Sequence, residues 1–303
     1  MFSRLKVFSG NANIPLAEEV SKYAGIPLGD ADVFKFSNDN TFVKINENVR
    51  GADAFIIQPT CRPVNDNLME LLIMIDALKR ASAKKINCII PYFAYARSDK
   101  KDQPRVPISA KLVADILTTA GADRIITMDL HSDQIQGFFN IPVDHLTALL
   151  IFSRHFNELF KPEEIVVVSP DAGGTNRARE LAKRLHCSLA IGDKRRTGND
   201  GNAEILNIIG EVEGKTAILF DDIIDTGGSL IKMANKLIAN GAKKVYAACA
   251  HGILSGDAIE NLDNSPIEQL FITNSIPLPE EKKKSKKIVQ LSIAELLAIA
   301  IKK

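Results

Sequence analysis

The segment Ala217-Ile218-Leu219-Phe220-Asp221-Asp222-Ile223-Ile224-Asp225-Thr226-Gly227-Gly228-Ser229 combines residue types suited to a phosphorylated sugar. An apolar strand over 217–221 would deliver Asp221 and Asp222 at its carboxyl end. An ionised carboxylate only accepts hydrogen bonds, so the pair suits a sugar diol or a magnesium-bound water. The loop Asp225-Thr226-Gly227-Gly228-Ser229 then opens a helix. Glycine lets successive backbone N–H groups converge, the helix N-terminus adds its dipole, and the hydroxyls of Thr226 and Ser229 can donate. A merely capped strand–helix turn is the plain alternative, but it gives no reason for two adjacent acids before a glycine pair.

Three further segments carry related chemistry. Asp171-Ala172-Gly173-Gly174 is a second acidic glycine turn, after the apolar run 165–169. His131 follows the run 125–129, at the strand end where ligands bind in open α/β sheets. The cationic stretch Asp193-Lys194-Arg195-Arg196-Thr197-Gly198-Asn199-Asp200-Gly201-Asn202 reads as a mobile loop able to close over phosphates. Residue types alone leave His131 as an ordinary core or surface histidine, the basic stretch as a solvated face and Phe36 as a core phenylalanine. The histidines at 145, 155, 186 and 251 have no motif around them.

These residues must be positioned by an alternation of strands and helices. Strands are expected at 5–8, 54–58, 86–90, 125–129, 165–169, 217–221, 245–250 and 270–273. Several are continuous apolar runs, as in parallel strands covered on both faces. Helix 108–119 places Ile108, Leu112, Val113, Ile116 and Leu117 on one stripe and stops at Gly121; helix 228–240 closes at Asn240-Gly241. The order strand, polar loop, helix, Ala-Lys-Lys, strand occurs over 55–90 and again over 217–250. Two related α/β units, joined near 142–148, explain that echo; coincidence is the alternative. The run Glu280–Lys287 reads as a solvated surface turn.

Composition narrows the class. The 303 residues carry 38 Lys+Arg against 37 Asp+Glu, so no basic excess coats the chain for nucleic acid or an anionic membrane. No apolar run approaches the roughly 20 residues of a membrane span. Cysteines at 61, 88, 187 and 249 are too scattered for a zinc site or disulfide framework and imply buried reduced thiols. The start, Met1-Phe2-Ser3-Arg4-Leu5-Lys6, has no long apolar stretch, so a cytoplasmic protein is expected.

Residues 217–229 resemble the ribose-phosphate loop of the phosphoribosyltransferase superfamily. Further segments narrow the likeness to the ribose-phosphate diphosphokinase family, also called phosphoribosyl pyrophosphate synthetases. They are Ser9-Gly10-Asn11-Ala12-Asn13, Val49-Arg50-Gly51, Tyr92–Asp102, Pro107–Lys111, Asp129-Leu130-His131, Gln134–Phe139 and Ser169–Gly174, in the family's order along nearly the whole chain. The resemblance implies an α/β fold of two related phosphoribosyltransferase-like domains, 1–145 and 146–303, each a mainly parallel sheet flanked by helices. The last helix would pack back on the first domain. It implies magnesium-dependent transfer of the β,γ-diphosphoryl group of ATP to the 1-hydroxyl of ribose 5-phosphate, releasing AMP. Such chemistry asks for positioning and charge neutralisation more than covalent help.

By resemblance, Lys194 and Arg196 are catalytic. Phe36, Asn38, Asp39, Asn40, Arg97, Ser98 and Asp102 face ATP, with Phe36 stacking on adenine and Arg97 offering its planar donor fork. Arg196, Asp221, Asp222, Asp225, Thr226, Gly227, Gly228 and Ser229 hold ribose 5-phosphate. His131 and Asp171 hold Mg2+. A homo-oligomer built from dimers, often a hexamer, is also implied. The chain departs from the family pattern at Asn38-Asp39-Asn40, usually Asp-Gly-Glu, at Ser98, often Gln, and at Thr197, often Pro. The first two put adenine selectivity in doubt; the third changes loop stiffness more than chemistry. Regulated members continue past the helix-like stretch 291–303 with a short serine-containing tail, so weak ADP inhibition, competitive with ATP, is expected here. A phosphoribosyltransferase using the same sugar-phosphate loop and a catalytically silent regulatory homologue are the alternatives.

Overall fold

The structure, a computed structural model, describes residues 5–196, 203–280 and 282–303. The chain forms two units, one of residues up to Leu146 with Ser275–Pro277 and Ser292–Lys303, the other of Thr147–Asn274 with Leu278–Leu291. The first unit begins with β1 (Leu5–Ser9), α1 (Ile14–Ala24), β2 (Ala31–Lys35), β3 (Thr41–Ile45), β4 (Asp53–Ile57) and α2 (Val64–Arg80). It continues with β5 (Lys85–Ile90), α3 (Ser109–Ala120), β6 (Arg124–Met128) and β7 (Val143–Leu146). Five strands pair in parallel in the order β1-β4-β5-β6-β7. The pair β2–β3 is a separate antiparallel ribbon.

The central strands are buried because their apolar runs meet helices. Leu71, Met74, Ile75 and Leu78 recur at helical spacing on α2 and pack with Phe8, Ile56, Cys88 and Ile90. Helix α3 forms where the spacing predicts and ends at Gly121, whose φ of +122° a side chain would strain. Its buried stripe differs from the expected one. Ala110, Val113, Ala114 and Leu117 face the core, while Leu112 and Ile116 stay 56% and 37% exposed. Those four residues join the core cluster that also holds Leu71 and Met74 of α2.

The second unit holds α4 (Leu149–Leu159), β8 (Ile165–Ser169), α5 (Thr175–Leu185), β9 (Ser188–Arg196), β10 (Ala203–Ile209) and β11 (Thr216–Ile224). Then come α6 (Gly228–Ala239), β12 (Lys244–Gly252), α7 (Ala258–Asp263), β13 (Ile267–Thr273) and β14 (Ile288–Leu291). The sheet order is β10-β9-β8-β11-β12-β13-β14, parallel throughout except for β10 against β9. Helix α8 (Ala294–Lys302) closes the chain and belongs to the first unit, where the Ser292 hydroxyl donates to Glu19 at 2.7 Å and Lys302 to the Tyr23 carbonyl at 3.1 Å.

The stretch 142–148 holds β7, whose residues pair with β6 from Ile125↔Val143 to Met128↔Leu146, and the two units divide after Leu146. Two local expectations change. Asp193–Arg196, expected in a loop, is the end of β9, paired with β10; Thr197–Asn202 lie outside the described residues. Strand β11 runs on to Ile224, so Asp221 and Asp222 lie inside it. Its partner β12 keeps pairing as far as Ile224↔Gly252, which carries the ladder past the acids.

Candidate functional site

In the second unit the sheet order places two turns side by side. Strands β8 and β11 are parallel neighbours, with Val168 opposite Leu219, so Ser169–Gly174 and Asp221–Ser229 emerge at the same sheet edge. A Cβ built on Gly174 would lie 2.9 Å from Ser169 Oγ and 3.8 Å from Asp221 Oδ1, so the two turns approach closely. Asp171 shapes its own turn. Its Oδ1 accepts from the Gly174 amide at 3.1 Å, and its carbonyl accepts from the Ser169 hydroxyl at 2.6 Å. Strand β9 leaves β8 after Ile191, which lies opposite Ser169, and carries Lys194 and Arg196 beyond that same edge.

The loop between β11 and α6 is held from below. Ile253 and Ser255 donate their amides to the Ile224 and Asp225 carbonyls at 2.9 and 3.1 Å, and the Ser255 hydroxyl donates to the Asp225 carboxylate. Gly227 sits at φ +75°, a left-handed conformation, and serves as N-cap of α6 without a side chain to cover the first turn. No side chain caps the amides that open α6, and Thr226 and Ser229 are exposed beside them. This arrangement can bind a phosphate.

The acid pair is not left to itself. Arg177, on the first turn of α5, places Nη1 3.1 Å from Asp222 Oδ1 and 3.8 Å from Asp221 Oδ1. The Asp222 amide donates to Asp221 Oδ1 at 2.9 Å. Burial, and then the adjoining Asp222 carboxyl, raise the Asp221 carboxyl well above the usual carboxylate range; the Asp222 amide and, to a smaller extent, Arg177 offset them only in part. With 29% of the Asp221 side chain accessible, solvent screens some of that effect. A cation or a hydroxyl donor entering here would favour the ionised form.

In the first unit, Phe36–Asn40 form the tip between β2 and β3. The Phe36 amide donates to the Asn40 carbonyl at 2.9 Å, Asp39 adopts φ +65°, and Asn38 Oδ1 accepts from the Asn40 amide at 3.2 Å. Phe36 is no core residue: it is 48% exposed, edge-on to Phe34 and Phe42 at 5.3 and 5.5 Å between ring centres. Arg97 and Asp102 are exposed on the irregular segment after β5, and the Ser98 amide is bound to the Tyr95 carbonyl at 2.8 Å. His131 is exposed in the turn after β6. Asp129 opens that turn at φ +37°, a strained conformation for a residue with a side chain.

Two site-forming residues escaped the sequence reading. Arg177 follows the glycine pair of the Asp171 turn by one helical turn, and a basic residue there, above two buried acids, was the available signal. His145 on β7 accepts from the Leu130 amide through Nε2 at 2.9 Å while the Leu146 carbonyl takes the Asp129 amide at 3.0 Å, so β7 holds the His131 turn. No motif surrounds His145 in the sequence, which hid that role. Among the described residues, no three His, Cys, Asp or Glu side chains form a ready metal cage, and no helix is long and apolar enough to cross a membrane.

An α/β chain with an acid pair beside a glycine-opened helix at the carboxyl edge of a parallel sheet defines a phosphoribosyltransferase-like enzyme. Two family models match it: the N-terminal domain of ribose phosphate pyrophosphokinase over residues 5–121, and the phosphoribosyl synthetase-associated domain over 199–303. A ribose-phosphate pyrophosphokinase from Fusobacterium nucleatum is 53% identical over 301 residues, 99% of this chain and 95% of the relative. One from Oceanobacillus iheyensis is 56% identical over 299 residues, covering 99% and 93%. The crystal structure of phosphoribosylpyrophosphate synthetase from Mycobacterium smegmatis superposes with a TM-score of 0.93 at 44% identity, covering 99% of this chain and 98% of that one. The chain belongs to the ribose-phosphate pyrophosphokinase family and is an enzyme of that class. The full-length match disposes of the simple phosphoribosyltransferase alternative.

Proposed function

We propose that the residues described above divide the work of a single reaction. The enzyme transfers the β,γ-diphosphoryl group of ATP to the 1-hydroxyl of ribose 5-phosphate, giving 5-phosphoribosyl 1-diphosphate and AMP. The observation that carries the assignment of roles is the acid pair Asp221–Asp222, held by Arg177 beside the amides that open α6. Those amides, with Thr226 and Ser229, take the 5-phosphate. Asp221 and Asp222 accept from the ribose hydroxyls and Asp225 fixes the loop. Phe36 stacks on the base, while Asn38, Asp39, Asn40, Arg97, Ser98 and Asp102 contact the nucleotide. Lys194 and Arg196 meet the charge that develops on the transferred phosphoryl oxygens.

Magnesium fits this donor set. The ion takes hard oxygen ligands and is commonly held by one or two carboxylates together with water and substrate phosphates, so it needs no full protein cage. Asp171, whose carboxylate lies at the sheet edge of the second unit, would hold it there. When bound, the ion supplies neutralisation of the triphosphate charge. The enzyme works in the cytoplasm, where its four unpaired thiols stay reduced, and as a homo-oligomer built from dimers, the hexamer included. AMP release from ATP and magnesium, with and without ribose 5-phosphate, tests the reading. Ribose-dependent AMP is expected from the wild type and lost in Asp221→Ala/Asp222→Ala; equal AMP with and without the sugar overturns it.

A further inference from the structure

Helix α2 carries a buried carboxylate that belongs to none of the groups discussed so far. Glu70 is 7% exposed, yet both its oxygens are engaged by other segments. Oε1 accepts from the Asn11 amide at 2.7 Å and from Gln58 Nε2 at 2.8 Å, and Oε2 accepts from Asn11 Nδ2 at 2.8 Å. The same Asn11 Nδ2 reaches the Val33 carbonyl of β2 at 3.1 Å. Gln58 completes the link by accepting from the Ala12 amide at 3.0 Å. The fit is close: a Cβ on Gly10 would lie 2.3 Å from Gln58 Oε1, so the loop Ser9–Asn13 lies directly on this group.

The chain of contacts leads outward to the hairpin tip. Strand β2 ends at Lys35, immediately before Phe36, and the Lys35 ammonium lies 2.7 Å from Asp66 on the first turn of α2. Asn65, one residue earlier, accepts from the Tyr95 hydroxyl at 2.5 Å, which ties the Arg97–Ser98 segment to the same helix end. The Lys35 and Tyr95 links are exposed and therefore weak. Glu70 is different, because a buried carboxylate must be satisfied and its loss leaves three donors unanswered.

We propose that Glu70 is a positioning residue for the nucleotide. It fixes the Ser9–Asn13 loop, and through Asn11 the strand that presents Phe36, Asn38 and Asn40. The inference rests on the reading that this hairpin tip binds ATP. Glu70→Gln keeps the shape but turns one acceptor into a donor facing Asn11; Asn11→Ala removes the link from the other side.

Each variant should raise the KM for ATP about tenfold, the worth of one hydrogen bond to a charged group, with the KM for ribose 5-phosphate and kcat within about twofold of wild type. Calorimetric titration with ATP alone should show the same tenfold loss, and this readout needs no turnover. If both KM values rise together, or ATP affinity is unchanged, Glu70 is only structural and the proposal falls. Should Glu70→Gln fail to fold, Asn11→Ala decides by the same criterion. A wild type that binds ATP but releases no AMP contradicts the assigned reaction and leaves the titration to judge Glu70. A wild type that binds no ATP overturns the reading of the hairpin and this proposal with it.

Discussion

Replacing Arg177 by methionine removes one charge from the acid pair while keeping most of the side-chain volume. Asp222 is 5% exposed and loses the guanidinium at 3.1 Å; Asp221 loses its more distant partner at 3.8 Å. Removing one member of a buried pair costs about 3–5 kcal/mol, and the 19% exposure of Arg177 reduces that to about 2–3 kcal/mol at neutral pH. For a unit of this size the melting temperature should fall by about 6–9 °C. The sign with pH is fixed. The penalty belongs to charged carboxylates without a partner, so it is full at neutral pH. It shrinks as the pH falls toward the ordinary carboxylate value near ~3.9 and protonation relieves it. Thermal melts of the ligand-free protein from neutral to acid pH, by circular dichroism, read this directly. The double variant Arg177→Met/Asp222→Asn should recover most of the loss. A pH-independent loss, or no recovery in the double variant, would refute the electrostatic role of Arg177.

Asp221→Asn should melt higher than wild type at neutral pH. The folded state disfavours the ionised Asp221, so its cost appears as pH rises above the ordinary carboxylate value and disappears below it; a gain that persists at acid pH contradicts this. Gly227→Ala meets no atom nearer than Ile231 Cδ1 at 3.8 Å, so only the backbone objects to φ +75°. It should cost about 1–2 kcal/mol by denaturant titration and raise the KM for ribose 5-phosphate, whereas an unchanged KM would remove the loop from the sugar-phosphate site. Lys194→Ala should lower kcat by two or more orders of magnitude with an unaltered melting temperature; near-normal turnover would end its catalytic assignment.

The strands of the sheet interiors were legible because each is a run of apolar residues buried on two sides, as in Ile165–Ser169, where all five are buried. The glycine turn that opens α6 was legible too, since the left-handed conformation of Gly227 suits glycine. What stayed hidden is tertiary. Strand β9 ends in the charged run Asp193–Arg196, which local composition assigns to a loop. Arg177, His145 and Glu70 sit in ordinary helix or strand sequence. Their roles come from partners brought by sheet order: β8 beside β11, β7 beside β6, and α2 against the end of β4.

The central claim is that this site moves a diphosphoryl group as a unit to the anomeric hydroxyl of ribose 5-phosphate. Phosphorus-31 NMR of ATP, magnesium, ribose 5-phosphate and the purified protein reads it without coupling enzymes. The account predicts AMP and 5-phosphoribosyl 1-diphosphate accumulating in equal amounts, with no resonance from ADP. Accumulation of ADP with a ribose bisphosphate, the signature of single phosphoryl transfer, would contradict it.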